Sequence, residues 1–220
     1  KKFWKYLMKK ELQKRIFSSL ILIPIALFFI IKGSFLFNFF IFICFLITSY
    51  EWHKMSQKKP YYLLGLLFLI LSFYSAYVIR TDTNSSLEYF ITILLICIST
   101  DIGGYIFGKL FKGPKLTKIS PKKTYSGVIG GYLLSIISLN LFFNSSYYLY
   151  PQEMTLNIFL LILLISTVSQ LGDISISYFK RLSKIKDTGK IIPGHGGILD
   201  RIDGMIFVFP FCYGIFSYFY

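Results

Sequence analysis

Seven stretches of this chain, at about 16–31, 35–50, 61–79, 87–111, 127–143, 156–178 and 204–220, are almost uninterruptedly apolar. Such repeated runs are too long for core strands, whereas the hydrocarbon core of a bilayer calls for about 20 helical residues. Residues are 55% hydrophobic and only 15% charged, too little polar surface to cover a soluble globule. The runs are continuous rather than alternating, which argues against a barrel, and lipid leaves every backbone polar group to be satisfied within its own segment. The expected fold is all-α, a polytopic integral membrane protein of about seven transmembrane helices, within a range of six to eight. Runs 61–79, 87–111 and 156–178 span comfortably, while 16–31 and 127–143 are short.

A net charge of +14, from 24 Lys and Arg against 10 Asp and Glu, would suit a nucleic-acid partner in a soluble protein, so the positions of the charges must decide. Residues 1–15 hold seven cations, 51–60 three, 109–123 six and 179–203 six, a total of 22; the alternate connections hold only Lys32 and Arg80. That asymmetry is a positive-inside pattern, placing the N-terminus and the large basic loops in the cytoplasm. The charge therefore reports topology and attraction to anionic lipid, with the bilayer as partner and no nucleic acid. In a bacterium this means the inner membrane. The basic start followed by an apolar run imitates a signal peptide, but no small-x-small cleavage site precedes the next run, so it reads as a helix. Cys44, Cys97 and Cys212 lie inside apolar runs without paired spacing and read as packing residues.

Two parts are expected: residues 1–86, about three hydrophobic spans behind a basic N-terminus, and residues 87–220, which carry the chemistry. Between Ser177 and Asp203 the chain packs six cations, three carboxylates, His195 and four glycines into 27 residues. This mixture suits phosphate and metal chemistry at a membrane surface. Asp101 and Asp173 interrupt or end apolar runs at the cytoplasmic boundary, where a carboxylate is costly unless it meets water, a cation or a metal. An interfacial Asp101 that pairs with Lys109 is the alternative reading, and Gly104 with Gly108 forms a small-xxx-small helix-packing pair.

Asp200 and Asp203 share a face if the last helix begins there, with Asp200 just before its start as the better metal ligand and Asp203 explained equally by a helix start. Arg201 between them reads as their partner or as a phosphate clamp. Asp173 with Asp200 fits the one or two protein carboxylates that magnesium typically takes. Pro193, Gly194, His195, Gly196 and Gly197 can turn sharply and bring amide donors to a ligand, with His195 open between ligand contact and loop bracing. Lys112, Lys115 and Lys118 read as topology signals.

The run from Ser177 to Asp203 closely resembles the signature of the phosphatidate cytidylyltransferases. Ser177, Lys180, Arg181, Lys186, Asp187, Gly189, Pro193, His195, Gly196, Gly197, Asp200, Arg201 and Asp203 all stand at that family's spacing. The resemblance extends to Asp101 through Tyr105, Gly108, Ser120 through Thr124, Gly127, Gly172 and Asp173, and departs at Ser126 and Ile176, where Glu is expected. It implies a magnesium-dependent membrane enzyme that makes CDP-diacylglycerol and pyrophosphate from CTP and phosphatidic acid for phospholipid biosynthesis, with its active site at the cytoplasmic interface. Its metal carboxylates fall on Asp173 and Asp200; a second cation and a homodimer are left open.

On that reading Lys180, Arg181, Lys186 and Arg201 clamp phosphates, while His195 with Gly194, Gly196 and Gly197 shapes the nucleotide site. Asp187 and Asp203 orient cations. Lys122 and Lys123, with Ser120, receive a substrate phosphate, and Asp101 and Ser177 line the substrate site. A CTP-dependent lipid kinase, or transfer to another lipid phosphate, is the competing enzyme reading. An anion transporter is the competing non-enzyme, but it predicts charge near the midplane and on both sides of the membrane. A CDP-alcohol phosphotransferase lacks support because its spaced aspartates are not present.

Overall fold

A computed structural model describes residues 18, 20–81, 86–117, 119–144, 154–192 and 196–219, the last four by backbone alone. Its elements are α1 (Leu20–Lys32), α2 (Ser34–Ser56), α3 (Tyr62–Thr81), α4 (Ser86–Phe111), α5 (Tyr125–Phe143), α6 (Leu156–Leu182), α7 (Leu199–Ile202) and α8 (Met205–Phe219). The described residues form no strand, only the isolated bridges Lys115–Thr124 and Ile192–Gly196. The chain is thus an all-α polytopic membrane protein, and among the described residues each of the seven apolar runs corresponds to a helix. Five of them, α2 to α6, are long and apolar enough to cross a bilayer; α1 and α8 are shorter.

The helix ends differ from the apolar runs in ways that matter for the site. Run 127–143 begins two residues earlier, because Thr124 caps α5 by accepting a hydrogen bond from Gly127 N. Helix α6 continues past Asp173 to Leu182, so Lys180 and Arg181 are helical rather than loop residues as expected. Cations in a last turn complement the helix dipole, and the chain leaves the helix only at Lys184, with φ +57°. The expected single final helix is divided: α7 is one short turn and α8 a separate helix.

Large apolar side chains such as Phe35, Leu64, Leu110, Leu141 and Leu156 are exposed on the outer faces, as lipid contact requires. Inside, small residues let helices approach. Gly103, Gly104 and Gly108 of α4 face Gly127 and Gly130 of α5, and a Cβ at Gly127 would lie 2.8 Å from Gly104 O. Thr100 hydrogen-bonds Ser166 at 2.9 Å between α4 and α6, and Tyr132 bonds Thr167 at 2.8 Å between α5 and α6. Pro210 deprives Ile206 O of its helical partner; Ser72 Oγ of α3 donates to that carbonyl at 2.6 Å.

At the end opposite the basic loops, Arg80 donates to Ile30 O at 3.0 and 2.9 Å and closes the C-terminus of α1, where Gly33 turns the chain at φ +65°. One of the two cations outside the basic loops therefore serves the fold. Cys97 and Cys212 are buried and Cys44 half-buried, all as free thiols.

Candidate active site

Helix lengths set the depth of two carboxylates. Asp101 lies ten residues before the end of α4 and Asp173 nine before the end of α6. At 1.5 Å per residue both are about 14 Å from their helix ends, within the helix bodies. Asp173 Oδ1 accepts a hydrogen bond from Ser177 Oγ at 3.3 Å, one turn along, and its Oδ2 pairs with Lys123 Nζ at 2.5 Å. Lys123 reaches it from the 112–124 segment, which Leu116 N to Lys123 O and Tyr125 N to Pro114 O fold into a compact loop. Lys122, next to it, is exposed.

Asp101 is exposed, and it makes no ion pair among the described residues; Lys109 instead lies over the Tyr105 ring. Its electrostatic neighbours are Asp173, Lys123 and Arg201.

The centre of the cluster is Lys180, buried in the last turns of α6. Its Nζ stands 2.8 Å from Asp200 Oδ1 and 3.9 Å from Asp203 Oδ2. Of the two readings of Arg201, partner of the two acids or phosphate clamp, the first falls to Lys180 instead. The three-residue spacing puts Asp200 and Asp203 on one face of α7, and Arg201, about 100° away, projects outward and is exposed.

Asp200 is further held at Oδ2 by Thr188 N (2.7 Å), Thr188 Oγ1 (3.0 Å) and Gly197 N (3.0 Å). Burial pushes its carboxyl upward, but Lys180 and these amides outweigh that and hold it below the usual carboxylate range. Asp203 goes the other way: burial, reinforced by Asp173, raises it well above that range despite Lys180. Asp101, Asp173 and Asp203 thus lie close enough to act on one another, and such a grouping of oxygen donors suits a hard cation. Among the described residues no three His, Cys, Asp or Glu side chains converge into a ready-made metal cage.

Gly196 adopts φ +88°, and a Cβ there would lie 2.6 Å from Asp200 Oδ2, so glycine is required twice over. Gly194 and His195 lie outside the described residues, as does Lys118. Arg181, Lys186 and Asp187 are exposed beside the cluster, and Arg181 donates to Ile185 O at 3.0 Å. Ser120 is half-buried in the 112–124 loop, its carbonyl accepting from Lys123 N at 3.0 Å.

The two departures from the resemblance have local reasons. Ser126 Oγ accepts from Gly113 N and so ties the loop to α5. Ile176 is buried in an apolar cluster with Trp52, Leu69, Leu199 and Ile206. That cluster borders a cavity of about 460 Å³ lined by Trp52, Tyr61, Leu64, Phe68, Phe179 and Phe207, beside Lys180 on α6.

Sequence reasoning missed two residues. Thr188 meets Asp200 as described, and Glu51 of α2 is buried against the same segment. The signal for Glu51 was an acid at the end of an apolar run, in a stretch whose lysines drew the attention.

Residues 58–219 match the model of the cytidylyltransferase family. The phosphatidate cytidylyltransferase of Rickettsia typhi is 35% identical over 215 residues, covering 94% of this chain and 92% of the relative. That of Rickettsia bellii is 36% identical over 214 residues, with 94% and 91% covered. That of Staphylococcus haemolyticus is 42% identical over 154 residues, 67% of this chain and 55% of its own length.

Proposed function

The chain belongs to the cytidylyltransferase family, and from that premise we propose that it transfers the cytidylyl group of CTP to phosphatidic acid, giving CDP-diacylglycerol and pyrophosphate. The observation that carries this reading is the convergence of Lys180, Asp200, Asp203, Asp173 and Lys123 at one end of a membrane helix bundle. An oxygen of the phosphatidate phosphate forms a bond to the α-phosphorus of CTP. The bond from that phosphorus to the oxygen bridging to the β-phosphate breaks, and pyrophosphate leaves with the electron pair. A phosphate monoester has its second pKa near about 6, so the nucleophile is already ionised at neutral pH and needs little help from a base.

The obstacle is charge, since two polyanions must approach. The cations divide into two groups. Lys123 and Lys180 are engaged with carboxylates and hold the scaffold. The exposed Lys122, Arg181, Lys186 and Arg201 remain to receive phosphates, Arg in the bidentate manner. His195 and the glycines around it would shape the nucleotide pocket, Asp187 would orient the neighbouring cations, and the apolar cavity beside Lys180 would take an acyl chain. Magnesium, held by Asp173 and Asp200 beside Asp101 and Asp203, would neutralise triphosphate and leaving-group charge. Oxygen donors, few protein ligands and adjacent phosphate-binding cations fit that ion. The positive-inside count supports a site that faces the cytoplasm, where CTP is available, and in a bacterial cell that membrane would be the inner one.

The expected result with purified protein in mixed micelles is one pyrophosphate released per phosphatidic acid consumed. Release stops when EDTA is added and returns with excess magnesium. Pyrophosphate release that ignores phosphatidic acid, or full turnover in EDTA, would contradict the substrate or the metal assignment respectively.

A further inference from the structure

Glu51 has no part in the transfer as described, yet it is 1% exposed and its carboxylate accepts hydrogen bonds from the segment that carries the cluster. It sits near the C-terminal end of α2, before the stretch that the family model covers. Its Oε1 accepts from Ile198 N at 3.0 Å, and its Oε2 accepts from Leu199 N at 2.8 Å and from Thr188 Oγ1 at 3.0 Å. Two glycines make the room. A Cβ on Gly189 would lie 2.7 Å from Oε1, and one on Gly197 would overlap both carboxylate oxygens and Thr188 Oγ1.

These contacts lead directly to Asp200. Thr188 Oγ1 is 3.0 Å from Asp200 Oδ2 as well as from Glu51 Oε2, so its one hydroxyl hydrogen is shared between the two carboxyl groups. The amides of Ile198 and Leu199 are those that open α7, and Asp200 is the next residue. A shift of Glu51 therefore moves the first turn of α7, and with it the place of Asp200 and Asp203 opposite Lys180.

We propose that Glu51 is a positioning residue for the transfer: through Thr188 and the start of α7 it fixes Asp200 against Lys180 without touching substrate. The inference rests on the cytidylyl-transfer reading above. Glutamine cannot replace it, because an NH2 in either oxygen's position faces a backbone N–H that then has no acceptor.

The test compares Glu51→Gln, Thr188→Val and the double variant in mixed micelles with CTP and phosphatidic acid, with rates normalised to folded protein by size-exclusion profile and thermal midpoint. Glu51→Gln and Thr188→Val are each expected to lower kcat on the order of 10²-fold, as a displacement near 1 Å would. KM for phosphatidic acid is expected to stay at the wild-type value. The loss in the double variant should fall clearly short of the product of the two single losses, because both variants disturb the shared Thr188 link. If Glu51→Gln does not fold, Thr188→Val decides alone, since it keeps the side-chain volume and removes only the bridging hydroxyl. Wild-type kcat in Thr188→Val, or losses that multiply in the double variant, overturns the inference. An inactive wild type overturns the functional reading beneath it, so the two failures are distinguishable.

Discussion

Replacing Lys180 by Met is expected to abolish turnover and also to destabilise the protein by about 3–5 kcal/mol, the cost of leaving a buried carboxylate without its cation. Lys180 and Asp200 side chains are 9% and 4% exposed, so water cannot take over the lost interaction. Asp203 loses its only cation within 4 Å among the described residues at the same time. A loss of that size is a large share of a typical total stability of about 5–15 kcal/mol and should appear as a lowered thermal midpoint in detergent. Adding Asp200→Asn removes the orphaned charge, so the double variant should recover part of the midpoint and none of the activity. Near-normal turnover in Lys180→Met would contradict the central place given to this lysine.

Asp173→Asn should separate chemistry from folding. The Asp173 and Lys123 side chains are 27% and 23% exposed, so their pair is partly screened and worth about 0–1 kcal/mol. The thermal midpoint is therefore expected to stay close to the wild-type value. Turnover is expected to fall on the order of 10²–10³-fold, as when a preorganised charge at a reacting phosphate is removed. Asp200→Asn offers the contrast: it disturbs hydrogen bonds to Lys180, Thr188 and Gly197 and should lower both midpoint and rate. Equal activity in Asp173→Asn and wild type at saturating magnesium would remove Asp173 from the site.

The helices were legible because lipid imposes one requirement on every spanning segment, and the apolar runs meet it without ambiguity. Their ends were less so. A rule based on apolarity stops α6 near residue 178, whereas Lys180 and Arg181 continue the helix with their stems along it. The spacing of Asp200 and Asp203 correctly put them on one face. It could not identify their partner, because Lys180 lies 20 residues from Asp200 in the chain and meets it only once the 183–198 segment has folded back. Glu51 is separated from Leu199 by 148 residues, and local pattern carries no trace of such a contact. The resemblance quoted in the sequence also begins well after residue 51, so neither route led to it.

The most direct test of cytidylyl transfer is to supply the purified protein, in liposomes containing phosphatidic acid, with CTP labelled at either the α- or the γ-phosphorus. The account predicts label in the lipid fraction from α-labelled CTP alone, with the γ-label recovered in pyrophosphate. Lipid labelled from γ-labelled CTP would identify a kinase instead, and an unlabelled lipid fraction in both cases would contradict transfer altogether.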